Sequence, residues 1–182
     1  MTDDLNELLN FLGGSDPDRS IEAAEELSVL GTDAQSAAVE LVRAMANENE
    51  EVRELVAAAL EELGPPPIEQ LAELAGLLED PHADVGYWAA TLLGRLGETG
   101  KVVVPSLIDV AGNISSDLAV RQRAVWALGQ IGRPAAAAIP VLEELAQNGE
   151  NARLSRLAGA AIDDVHPVHR SQTLSEDHVD RV

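Results

Sequence analysis

The sequence predicts an all-α protein of about ten helices, in which two-helix units stack one after another. Three observations lead there. Glycines close apolar-periodic segments at Gly31, Gly64, Gly97 and Gly132, at spacings of 33, 33 and 35 residues. A second series, Asn47, Asp80, Asn113 and Asn148, keeps the same spacings of 33, 33 and 35. Within each unit, apolar residues recur three and four apart, the period of one face of an α-helix. Two independent markers on one irregular rhythm identify internal repeats, and self-similarity at this period is the mark of a stacked array.

The first element expected is a capping helix over residues 1–15. Leu5, Leu8, Leu9 and Leu12 share a stripe, Thr2 is the expected N-cap, and Asp3 and Asp4 suit the helix dipole. Repeats follow over about 16–47, 48–80, 81–113 and 114–148, then a terminal helix over 149–165. Residues 1–165 thus form one solenoid. Residues 166–182 lack an apolar stripe and are expected as a polar tail, with a short helical turn near Ser175.

The first helices are read by counting back twelve positions from each glycine. Val52, Val85 and Val120 then occupy position 0, and apolar residues recur at positions 4, 7, 8 and 11. The closing glycine suits the left-handed residue that ends a helix. The copy from Arg19 to Gly31 keeps Ala23, Leu27 and Leu30 but carries Glu26 at a core position, as a degenerate end copy. A fifth copy runs from Leu154 to His166, with Ala158, Ala161, Ile162 and Val165 in phase and His166-Pro167 in place of the glycine.

Second helices start at Ala38, Leu71, Val104 and Ile139. Each ends at an Asn or Asp of the second marker series, the expected left-handed C-cap. Pro105 and Pro140 belong in the first turn, where a missing N–H costs little. Pro65-Pro66-Pro67 imposes a rigid link inside the second pair.

At this point the residues resemble a known family. Units reading Val-Arg-x-x-Ala/Val-x-x-Ala-Leu-x-x-Leu/Ile-Gly, then Ile/Val-Pro-x-Leu, are similar to HEAT repeats. They look most like the short repeats of the phycobilisome lyase HEAT-like group, over residues 16–165. The resemblance implies a right-handed α-α superhelix of the HEAT/armadillo kind, in about 4.5 repeats. It also implies that second helices line a concave binding surface. The uses of this repeat range over scaffolds, adaptors, lyases and a few enzymes, so the fold does not fix the function.

Composition narrows the choice. The 182 residues hold 12 Lys+Arg against 32 Asp+Glu, a net charge of −20. That sign opposes nucleic-acid binding, which needs cations against phosphates. There is no cysteine, hence no disulfide framework, thiol nucleophile or thiolate metal site. The N-terminus does not read as a signal peptide and no apolar run is long enough to span a membrane, so a cytoplasmic protein is expected. Residues 1–91 carry −18 and residues 92–182 carry −2. Such acidity suits a cationic partner or adaptation to a salty cytoplasm, and the composition supports both equally. All basic residues but Lys101 are arginines.

No phosphate-binding, dinucleotide-binding or nucleophile-elbow motif occurs. One HEAT-type enzyme class holds iron with repeated His-Glu pairs, and no His-Glu dipeptide is present here. His166 and His169 have metal-compatible spacing but no third ligand. No cofactor or metal is expected, and the chain reads as a non-enzyme. The expected function is a protein-interaction scaffold, with a bilin-lyase-like protein binding a tetrapyrrole and its client as the alternative, and a structural module of a larger assembly as a third reading. The expected partner is another protein with a basic surface, bound by a monomer.

Candidate binding residues follow from the repeat register. Two and five positions into the second helices stand Glu40 and Arg43, Glu73, Ser106 and Asp109, and Glu144. Trp126 lies about 140° from the buried stripe of its helix and Tyr87 points outward by the same count, so both join the candidates. Trp88, about 80° from that stripe, reads as a packing residue. Arg53 and Arg121 share position 1 and are expected to pair with acids of a neighbouring unit, Asp84 and Asp117 being candidates.

Overall fold

A computed structural model describes residues 2–148 and 151–166. Ten α-helices and no strand are present among the described residues. A lone α1 (Thr2–Leu12) precedes four helix pairs. These are α2 (Pro17–Ser28) with α3 (Ala38–Ala44), α4 (Glu50–Glu62) with α5 (Leu71–Gly76), α6 (Ala83–Gly94) with α7 (Val104–Gly112), and α8 (Leu118–Ile131) with α9 (Ile139–Gln147). A terminal α10 (Ala152–Val165) closes the array. Apart from His166, the expected tail lies outside the described residues.

The core repeats as the sequence does. Position 8 of the first helices is Leu27, Leu60, Leu93 and Leu128, each 0% exposed, and Leu41, Leu74, Leu107 and Leu142 of the second helices are equally buried. Each leucine removed from water contributes about 2 kcal/mol, so this double row is the main driving force for stacking. The glycines between paired helices all have positive φ, at 54°, 78°, 55° and 70° for Gly31, Gly64, Gly97 and Gly132. Only glycine enters that region freely, which is why the marker recurs.

First helices start at a third repeat marker, less regular in composition than the other two. Asp16, Asn49, His82, Asp117 and Asn151 stand 33, 33, 35 and 34 residues apart. Four of them accept backbone N–H groups of the first turn: Asp16 from Asp18 and Arg19, Asn49 from Glu51, Asp117 from Ala119, and Asn151 from Arg153 and Leu154. These side-chain acceptors satisfy donors that the helix leaves open. Thr2, the expected cap of α1, lies within that helix.

Three expectations are corrected. First, no non-glycine residue among those described has positive φ, so Asn47, Asp80 and Asn113 are not left-handed caps. Instead each side-chain oxygen accepts the N–H two residues on, from Asn49 at 2.9 Å, His82 at 2.9 Å and Ser115 at 3.0 Å. The Asn or Asp folds the loop through its side chain rather than its backbone.

Second, Arg53 at position 1 makes no ion pair with an acid among the described residues. Arg53 donates to the carbonyls of Asn47 at 2.7 Å and Glu48 at 3.1 Å, and Arg121 donates to the carbonyl of Ala111 at 3.2 Å. Ser20 and Ser155, at the same position, donate to the carbonyls of Phe11 and Leu145. At Gly86 a Cβ would come within 2.9 Å of the Leu78 carbonyl. Position 1 therefore faces the open carbonyl end of the preceding helix, and a donor there satisfies it. Asp117 is occupied as the cap of α8.

Third, Glu26 is not in the core. Position 7 in later repeats holds Ala59, Leu92, Ala127 and Ala161, all buried, whereas Glu26 is exposed. It lines a groove between α1 and α2 with Glu7, Glu22, Phe11 and Arg19. Position 7 faces the preceding first helix, and α2 has no such helix behind it.

Position 9 faces forward. Gly94 and Gly129 stand there, and a Cβ would approach Ala127 to 3.0 Å and Ala161 to 3.3 Å. Small residues on both sides let α6, α8 and α10 stack closely; α2 also stacks on α4, where the aligned residues are Ser28 and Ala59. Between α4 and α6 the aligned pair is Glu61 and Leu92, and these two helices do not stack closely. There Arg95 crosses over, donating to the Leu60 carbonyl at 2.5 Å. At the end of the array, position 9 is Asp163, exposed.

A methyl group at Gly94 would lie 2.6 Å from Trp126 Cζ3 as well as against Ala127. Gly94→Ala is expected to cost about 1–3 kcal/mol in urea unfolding, as overpacking does. A Cβ added at Gly159, inside α10, would meet nothing within 4 Å. Gly159→Ala is expected to stabilise by about 0.5–1 kcal/mol in the same assay, the helix-propensity gain.

Candidate functional site

The second helices present the expected row on their open side. Glu40, Arg43, Glu73, Asp109 and Glu144 are exposed and Ser106 is half-buried. Arg43 of α3 reaches across to Glu73 of α5, with Nη2 to Oε2 at 3.3 Å and side chains 56% and 62% exposed. The pair bridges two repeats and offsets part of the row's charge. In the open it is worth at most about 1 kcal/mol.

Glu40 and Arg43 rim a groove between α1 and α3, floored by Leu9, Leu12, Ala44 and Ala46. Glu144 lines a separate small cavity with Ile114, Val141, Leu145 and Leu154. The candidates therefore lie along a surface and do not converge on one pocket. Such an arrangement can recognise an extended ligand, and it does not assemble acid, base and nucleophile around one point.

The two aromatic candidates lie on the first-helix side, and the structure brings them together. Trp126 is half-buried, wedged against Gly94 of the preceding repeat. Tyr87 is half-buried and meets Trp88 edge to face, with centroids 6.0 Å apart and planes at 86°. Trp88 itself is 9% exposed, as a packing residue. Between Tyr87 and Trp126 lies Arg123, which sequence reasoning missed. Its guanidinium carbon is 4.3 Å from the Tyr87 centroid and 4.7 Å from that of Trp126. Its Nη2 donates to the Tyr87 hydroxyl. Arg123 stands three residues before Trp126, a helical neighbour spacing that was visible, but Tyr87 is 36 residues away.

Two guanidiniums have shifted protonation equilibria. Burial lowers the Arg123 pKa, and the nearby charge of Arg153 lowers it further. Burial also lowers that of Arg95, which lies 6.0 Å from the Trp88 ring centroid, while Glu61 and Glu62 oppose the shift. Desolvation disfavours the charged form in both. His82 is exposed and contacts its neighbour Asp80, at 3.1 Å. Among the described residues no cluster of three or more His, Asp or Glu could hold a metal. His169, half of the other histidine pair, lies outside the described residues. No helix among the described residues is long and apolar enough to cross a membrane.

Comparison with known proteins agrees with this geometry. No curated protein matches the sequence. The crystal structure of an engineered protein, a structural genomics target, superposes with a TM-score of 0.57 at 21% identity, covering 89% of this chain and 79% of the other. A second engineered protein superposes with a TM-score of 0.55 at 20% identity, covering 88% of this chain. The chain spans about half of that second structure, 47%. At these identities the likeness concerns the fold. The family model for HEAT repeats matches residues 68–163, more than half of the sequence. With that match over the pairs from α5 to α10, and with the stacked, glycine-closed helix pairs seen directly, the chain belongs to the HEAT-repeat family.

Proposed function

We propose that this protein is a non-enzymatic interaction scaffold that binds a partner with a basic surface along its second helices. The observation that carries the reading is the exposed set Glu40, Glu73, Asp109 and Glu144, one acid two or five positions into the second helix of each of four successive repeats. Stacked repeats offer a long, preformed surface, so few groups lose freedom on binding. The net charge of −20 would steer a cationic partner towards it. The uneven charge places the strongest attraction over α3 and α5, in the half that carries −18. Residence in the cytoplasm and a monomeric state belong to the same proposal.

The bilin-lyase alternative gains no support from the described residues. These two grooves are lined mainly by carboxylates and aliphatic side chains, and Phe11 is the single ring in them, whereas sandwiching a flat pigment takes two.

The test is affinity capture from native lysate at low and high salt, with the wild type beside Glu40/Glu73/Asp109/Glu144→Ala. The variant is expected to keep its helicity and its Tm to within a few degrees, since all four side chains are exposed. It should recover at least ten-fold less of a partner that the wild type retains at low salt. Equal recovery by both proteins would refute the acidic second-helix site. A titration with a linear tetrapyrrole that produced new visible absorbance would replace the scaffold reading with the lyase one.

A further inference from the structure

The first-helix side of the C-terminal half holds a feature that the acidic row does not explain. Arg123 is half-buried in a chain with 32 acids, yet it makes no ion pair with any described residue. Of the five N–H donors of a guanidinium, one goes to the Tyr87 hydroxyl and the others make no hydrogen bond to described residues. Its plane is fixed between two aromatic rings instead.

A second arginine stands beside it. Gln122 donates to the Asn151 side chain at 3.2 Å, which ties the second turn of α8 to the N-cap of α10. Arg123 and Arg153 are the next residue on one helix and the second on the other. Arg153 is exposed, and its side chain makes no ion pair with described residues. Burial, and after it the like charge of Arg153, lowers the Arg123 pKa, so the two cations repel across the unliganded surface. An anion would relieve it.

We propose that Arg123 and Arg153, with Tyr87 and Trp126 as the flanking apolar walls, form a docking site for the carboxylates of an acidic peptide segment of a partner protein. The guanidinium fork matches a carboxylate edge to edge, and stacking has already ordered it. The ring edges suit an apolar residue next to the acid. Charge complementarity also sets the place. The half that carries −18 repels an acidic segment, whereas the half that carries −2 holds these arginines. A nucleic acid would present a long polyanion to the whole acidic molecule, so a short peptide is the better match. This site is separate from the acidic row and opposite to it in charge preference.

The experiment uses the full chain and a fluorescein-labelled dodecapeptide of Glu, Asp and Ser with one central Phe. Anisotropy is read at about 150 mM salt, where charges beyond about 8 Å are screened. Saturable binding is expected, with a shift of the Trp126 indole N–H resonance. Arg153→Gln removes an exposed side chain that makes no hydrogen bond to described residues, so it leaves the fold intact and should weaken binding at least five-fold. Arg123→Lys keeps the charge but loses the planar fork, and should weaken it similarly. The Glu40/Glu73/Asp109/Glu144→Ala protein should bind this peptide as well as the wild type or better, which separates the two sites.

Four results would overturn the proposal. One is no saturable binding. Another is binding unchanged by both arginine variants. A third is a phosphoserine version binding more than ten-fold tighter, which would make phosphate the ligand. The last is self-association of the protein that depends on Arg123 and Arg153 in sedimentation, which would make the acidic end of a second copy the occupant.

Discussion

The structure depends on how closely successive first helices can approach. A two-helix unit cannot bury its own apolar stripe, so neighbours must supply the cover. Contact runs from position 9 of one helix to position 7 of the next. Where both are small, as at Gly94 with Ala127 and Gly129 with Ala161, the backbones nearly touch. The buried leucines of each layer then seal against the next. Both ends of the array use the same two positions in reverse. Glu26 occupies position 7 where no first helix precedes it, and Asp163 occupies position 9 at the last helix. A charge at either place makes further stacking costly, because an unpaired carboxylate would be buried.

Much of this was legible in the sequence, and the misses have physical reasons. The glycine rhythm and the leucine rows depend only on local backbone freedom and helical period, so they could be read directly. The Asn and Asp series marked the right loops but suggested the wrong geometry. Those residues tolerate left-handed backbone and also fold turns through their side chains, and composition does not separate the two. The first-helix caps repeat as regularly as the glycines, but one of the five is His82, which makes no side-chain cap bond. That irregular member hides the series. Arg53 was misread because a guanidinium can also be satisfied by backbone carbonyls, even though it binds a carboxylate more strongly. Only the packing shows that a helix end lies within reach. The Tyr87–Arg123–Trp126 stack joins two repeats and has no local signature at all.

Arginine plays an unusual part in so acidic a chain. Arg53 and Arg121 close helix ends, Arg95 spans a seam, and Arg123 stacks on rings. Arg43 pairs with a carboxylate, and that pair stands in the open. The carboxylates are therefore left largely uncompensated, and the surface field follows from that choice of partners more than from the count of charges.

The gap between α4 and α6 gives the molecule a mechanical grain. Elsewhere the first helices are close-packed, an arrangement that resists bending. At this level the two halves are joined instead by the contacts of α6 with α3 and α5 and by the Arg95 strut. Load applied at the two ends would collect there, so that the front two pairs and the rear two swing against each other like the jaws of a spring clip. The spacing between the acidic side chains of α5 and those of α7 would change most as they do.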